Sequence, residues 1–135
     1  MSILVNLITY RGTYRSLQAD KINVPSADGR RAILPNHVNV IMPLDIGVLN
    51  VTVNQQELYF AITNGMLLFE NNTATILSDS IIDADDIEQE RIEKKVKKTQ
   101  EYLDSISDER DIIMAKMSLA KALNKLEVKS KYGKQ

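Results

Sequence analysis

His37 is the sole histidine of this 135-residue chain, so neither a histidine relay nor a two-histidine metal site has a second member. The acids nearest to it in sequence are Asp28 and Asp45, and the residue reads as structural or interfacial. Asp83, Asp85, Asp86 and Glu88 offer the oxygen ligands that hard cations prefer, but no glycine bends this run into a calcium loop. Acids facing the positive end of a helix dipole account for the same spacing. Asp28-Gly29-Arg30-Arg31 is a compact basic turn that can touch a phosphate, and its first reading is a hairpin turn. Lys121, Lys125 and Lys129 recur every four residues, with no acid four positions upstream of Lys125 or Lys129. A helical row of unpaired cations suits an acidic surface on another protein. No residue is assigned to catalysis or to metal binding.

The elements that must carry these residues differ between the two ends of the chain. All prolines, and every glycine except Gly133, lie at or before Gly65. Residues 1–82 hold 5 Lys/Arg and 6 Asp/Glu, whereas residues 83–135 hold 12 of each. This division predicts a domain over 1–82 and a helical appendage over 83–135. The net charge of −1 and pI near 5.8 supply no long-range attraction for nucleic acid or anionic lipid. Cysteine is absent, which excludes disulfides and cysteine metal sites. The apolar start breaks at Arg11 and Gly12, too early for a signal-peptide core or a membrane span, so direct membrane insertion is not expected.

Period-two alternation marks the first half as strands. Ile3, Val5, Leu7 and Thr9 share one face, and Leu4, Asn6 and Ile8 the other. Further runs cover 13–17, 21–24, 31–34, 38–42, 48–53, 58–63, 66–70 and 73–77. Arg11-Gly12, Asp28-Gly29, Asn64-Gly65 and Asn71-Asn72 supply turn residues, and Pro35 and Pro43 are expected to end runs by withholding an amide donor. Nine short strands at this spacing predict an antiparallel β-sandwich or flattened barrel.

Beyond residue 82 the period lengthens. Ile92, Val96, Thr99, Leu103 and Ile106 form a stripe on a helix expected over 85–104. Ile112, Ala115, Leu119, Ala122 and Leu126 do the same over 109–131, with Ile113, Met117, Ala120 and Leu123 expected to widen the apolar face. The polar break at 105–108 predicts an antiparallel two-helix hairpin. Acids at the start of the first helix, lysines following them and lysines closing the second are expected to suit the helix dipoles.

Residues 28–37, Asp-Gly-Arg-Arg-Ala-Ile-Leu-Pro-Asn-His, followed by Pro43-Leu44-Asp45-Ile46-Gly47, resemble the signature of the epsilon subunit of bacterial F-type ATP synthases. Ala61-Ile62-Thr63-Asn64-Gly65-Met66-Leu67 and Ala74-Thr75-Ile76-Leu77-Ser78-Asp79 are similar to two later segments of that family, and the likeness spans nearly the whole chain. Ala32, Asn39 and Leu68 depart from the family's usual glycine, proline and glutamate.

The resemblance implies a non-catalytic rotor subunit of a proton-translocating synthase, held by the gamma subunit and resting on the c ring. It would be peripheral to the cytoplasmic face of a bacterial cell membrane. Arg30, Arg31 and His37 are the implied interface residues of the sandwich. The helical hairpin is implied to restrain ATP hydrolysis, with Lys121 and Lys125, then Lys94 and Lys98, meeting an acidic loop of the beta subunit. Some relatives hold ATP on this hairpin. The matching positions here are Ile87, Glu88, Arg91, Lys121 and Lys125, where Glu88, Ile92 and the two lysines depart from the pattern, and lysine lacks arginine's planar fork. No cofactor is therefore expected, with ATP as a regulatory ligand the minority reading. Two alternatives stay open: a structural subunit of a related rotary ATPase without an inhibitory role, or a free-standing β-sandwich adaptor.

Overall fold

The computed structural model describes residues 2–134, which divide into two compact units between Asp83 and Ala84. The first unit is a ten-stranded sheet rolled into a nearly closed sandwich. Its strands are β1 (Ile3–Thr9), β2 (Gly12–Ala19), β3 (Lys21–Ser26), β4 (Gly29–Ile33), β5 (Val40–Leu44), β6 (Gly47–Val53), β7 (Gln56–Ile62), β8 (Gly65–Glu70), β9 (Thr73–Ser78) and β10 (Ile81–Asp83). They lie in the order β10-β7-β6-β3-β5-β8-β9-β1-β2, with β4 also paired to β3. All pairs are antiparallel except β1 with β9, which is parallel because the chain crosses the whole sheet before returning beside its first strand.

Alternation places Ile3, Val5 and Leu7 inside with Ile22, Val24, Leu49, Val51, Phe60, Leu67, Phe69 and Ile76, and these side chains have essentially no solvent contact. The expectation that Pro43 ends a run is overturned. Pro43 lies within β5 opposite Met66, tolerated because β5 meets β3 only at the Ser26–Leu44 pair, so its absent amide breaks no continuous ladder on that side. The tenth strand escapes period reading because three residues, paired with Phe60, Ala61 and Ile62, are too few to show alternation.

The free edges of the sheet, β2 and β10, are joined by side chains. Arg15 Nη1 donates to Asp83 Oδ2 at 3.0 Å, and the Asp83 amide donates to the Tyr14 hydroxyl at 3.1 Å. The Arg15 guanidinium also lies 5.3 Å from the ring centres of both Tyr14 and Phe60. Gly65 shows a second constraint: a Cβ there would fall 1.9 Å from the Leu77 carbonyl oxygen, so any side chain would push β8 from β9.

The second unit begins with a 3-10 turn over Ala84–Asp86, followed by α1 (Gln89–Ser105) and α2 (Glu109–Tyr132). The single helix expected from 85 is thus broken, because Ile87 is buried and Glu88 takes extended backbone angles before α1 starts. Asp108 caps α2, its side chain accepting from the Arg110 amide at 2.8 Å. The α1 stripe of Ile92, Val96, Thr99 and Leu103 is half-buried, while every other α1 position is exposed. Ala115 and Ala122 are buried on α2. Ile113, Met117, Ala120 and Leu123 do not widen this seam and stay exposed, since a 3.6-residue period turns them to the far side of the helix. Lys94, Lys95, Lys97 and Lys98 sit mid-helix, and the last turn of α1 carries no base, so the dipole match holds for α2 alone.

Candidate functional site

The most unusual surface of the sandwich is apolar. In β5, β8, β9 and β1 both faces carry hydrophobic side chains, a pattern that suits a sheet covered on both sides. Their inward residues, such as Met42, Leu67, Phe69, Ile76 and Leu7, are buried in the core. Register aligns their outward neighbours: Pro43 is opposite Met66, Met66 opposite Leu77, and Leu77 opposite Ile8. A second row places Ile41 opposite Leu68 and Leu68 opposite Thr75. Ile41 is 67% exposed, Leu77 46% and Met66 41%. Contiguous apolar surface of this kind marks a protein-binding face, because leaving it wet costs about 25 cal/mol per Å². A recess of about 320 Å³ adjoins the first row, lined by Ile8, Tyr10, Met66 and Leu77 among others. Reading β8 and β9 as strands placed these residues on a second face, but a strand pattern alone does not say whether that face meets another sheet or solvent.

The β4–β5 loop adds Leu34 and Val38, both more than half exposed. The loop is fixed by a reciprocal pair of asparagines: the Asn36 amide donates to Asn72 Oδ1 at 2.6 Å, and Asn72 Nδ2 donates to Asn36 Oδ1 at 3.0 Å. Both residues have positive φ, 68° and 54°, which asparagine tolerates better than most side chains. His37 makes a T-shaped contact with Phe69 of β8, the ring centres 5.7 Å apart. Arg30 and Arg31 lie on β4. Arg30 donates its guanidinium to the carbonyls of Asn23 and Val48, turning it onto its own sheet, whereas Arg31 is exposed.

The helical unit holds a second cluster. Burial pushes the Lys125 ammonium below the ordinary lysine value, and the positive charges of Lys95, Arg91 and Lys121 push the same way. Arg91 and Lys95 lie along a groove of α1 with Glu88, Glu90, Glu93, Lys94 and Lys98. Glu88 approaches Arg91 at 3.9 Å, an exposed and weak pair. Ile87 is buried, and Lys94 and Lys98 are exposed on α1. Lys95 is the member that the sequence reading did not single out; its position four residues after Arg91 was the available signal.

A family model described as the β-sandwich domain of the ATP synthase delta/epsilon chain matches residues 2–84. The chain belongs to the ATP synthase delta/epsilon family. The ATP synthase epsilon chain of Lactobacillus gasseri is 31% identical over 96% of this chain and 94% of its own length. That of Bacillus velezensis is 29% identical over 94% of this chain and 96% of its own. The fold is shared with a chain in the Euglena gracilis mitochondrial ATP synthase structure of OSCP, F1 and c ring, with TM-score 0.77, 17% identity, and coverage of 91% of this chain and 78% of that one. A chain in the central stalk and c ring structure of the Tetrahymena thermophila enzyme gives TM-score 0.60 at 16% identity, covering 96% and 97%. An epsilon chain is a non-catalytic subunit of the synthase. Among the described residues no helix is long and apolar enough to cross a membrane.

Proposed function

We propose that this epsilon chain works as a rotor subunit that links the gamma subunit to the c ring and uses its helical hairpin to restrain ATP hydrolysis. The observation that carries the reading is the outward apolar row of Pro43, Met66, Leu77 and Ile8, flanked by Ile41 and Leu68, which requires a permanent cover. The gamma subunit is that cover. The loop with exposed Leu34 and Val38 and half-buried His37 continues the same contact, and the β3–β4 turn beside Arg31 faces the c ring. The complex holds the chain peripherally on the cytoplasmic face of the bacterial membrane.

On the hairpin, Lys121 and Lys125 contact an acidic loop of the beta subunit, helped by Lys94 and Lys98. The half-buried stripe stays covered throughout, since exposing on the order of 500 Å² of apolar surface would cost roughly 12 kcal/mol. Two experiments test the two halves of the proposal. Ile41→Asp with Leu77→Asp leaves the core intact and should abolish co-purification with gamma; retained binding rejects the docking face. Removing residues 84–135, which leaves Asp83 in its strand, should raise ATP hydrolysis by the assembled enzyme; unchanged hydrolysis with weaker assembly would support a purely structural hairpin.

A second reading concerns ATP as a regulatory ligand on the hairpin. Burial first, and then the positive charges of Lys95, Arg91 and Lys121, lower the Lys125 pKa, and a bound anion would offset the repulsion among these cations. Resonance shifts of these residues on titration with millimolar ATP support the site, and their absence removes it.

A further inference from the structure

The free end of α2 is tied back to the turn that precedes α1. Lys129 Nζ donates to the Lys134 carbonyl at 2.7 Å and reaches the Asp85 carbonyl at 3.4 Å. The Lys134 amide donates to Asp85 Oδ1 at 2.8 Å, and the Gly133 amide donates to the Lys129 carbonyl at 2.9 Å. Gly133 is the one glycine of the chain beyond residue 65, and its place explains its presence. A Cβ there would lie 2.8 Å from the carbonyl oxygens of both Ala84 and Lys129 and 2.5 Å from Lys129 Cδ. The lysine stem can move aside; two backbone carbonyls cannot do so without parting the tail from the turn. Ala84, Ile87 and Val128 are buried in the same stretch of the unit.

We propose that Asp85, Lys129, Gly133 and Lys134 form a clasp that holds the open end of the helical hairpin shut, and that its release is the first step of any rearrangement of the two helices. The proposal deepens the reading of the hairpin as a movable element and rests on it for its role in the enzyme, though not for its existence. Leverage gives the clasp its importance. A helix of 24 residues places it roughly 36 Å from the 106–108 connection, so a splay of about 10° displaces it by about 6 Å. That breaks both hydrogen bonds from the α2 end to Asp85 while side chains near the connection still touch. An opening hairpin must lose the clasp before it loses the seam, and the small cost of the clasp sets how often the seam is challenged.

The full chain has no cysteine, so two can be introduced for spin labels at the exposed positions Glu90 and Ser130 and their distance measured in the isolated protein. Loss of a carboxylate-to-amide hydrogen bond should raise the ratio of long to short distances about fivefold in Asp85→Ala, and Gly133→Ala should match or exceed it. Asp85→Asn keeps an acceptor oxygen and should restore the short distance. Lys131→Ala breaks the neighbouring Lys131–Glu127 pair outside the clasp and should change nothing. Unchanged distances in both Gly133→Ala and Asp85→Ala, or equal opening in Lys131→Ala, overturn the clasp. Failure of the brake reading shows separately, as hydrolysis indifferent to removal of residues 84–135 while the label distances still respond.

Discussion

Arg15→Met removes one charge from the side-chain seam between β2 and β10 while keeping an apolar stem against Tyr14 and Phe60. The ion pair is partly buried, with Arg15 34% and Asp83 16% exposed, at 3.0 Å. Two unit charges about 4 Å apart attract by about 4 kcal/mol at an effective dielectric near 20, before the opposing desolvation cost. The exposed side of Arg15 screens part of what remains, so the net loss should be about 1–2 kcal/mol, including the stacking of the guanidinium on two rings. For a sandwich of roughly 80 residues this lowers the melting temperature by about 6–12 °C. Methyl resonances of Ile3, Leu7 and Ile76 followed through urea unfolding report the sandwich apart from the hairpin. A double-mutant cycle with Asp83→Ala should return a coupling of about 1 kcal/mol, whereas a coupling below about 0.3 kcal/mol refutes the reasoning that this pair closes the sheet.

Gly65→Ala should destabilise the sandwich by more than about 3 kcal/mol, since the added carbon meets backbone rather than a side chain that can rotate away; a urea midpoint within error of the parent would contradict the close approach. Lys125 has a folded pKa below its unfolded value, so the unfolded chain binds more protons between the two. Hairpin stability should therefore rise as pH climbs through that window toward the ordinary lysine value, and Lys125→Met should stabilise the hairpin at neutral pH and remove the rise, read from amide exchange in α2. Glu57 is held below the usual carboxylate range chiefly by hydrogen bonds from Asn50 and then Thr52, so Asn50→Ala should move its titration upward in carboxyl NMR. The contribution of those bonds is present above the unfolded pKa and lost as pH falls through the folded one.

Much of the architecture follows from composition and period. Prolines and glycines concentrate where turns are needed, alternation selects Ile3, Val5 and Leu7 for the core, and the four-three spacing of Ile92, Val96, Thr99 and Leu103 selects the helix face that is half-buried. These features are local, because a strand or a helix repeats the same geometry at each residue. The family resemblance was equally legible, since it rests on contiguous runs such as residues 28–37.

What the sequence could not decide depends on which distant strands become neighbours. Leu77 reads the same whether its outward face is covered or bare; only the register that sets it between Met66 and Ile8 joins scattered apolar residues into one surface. The seam of Arg15 with Asp83 joins positions 68 apart, and the contact of Gly133 with Ala84 bridges almost the whole helical unit. Arg30, chosen from sequence as an interface residue, donates to carbonyls of its own sheet because β3 and β6 bring Asn23 and Val48 within its reach. Periodicity fixes which way a residue points, and tertiary pairing alone fixes what lies there to meet it.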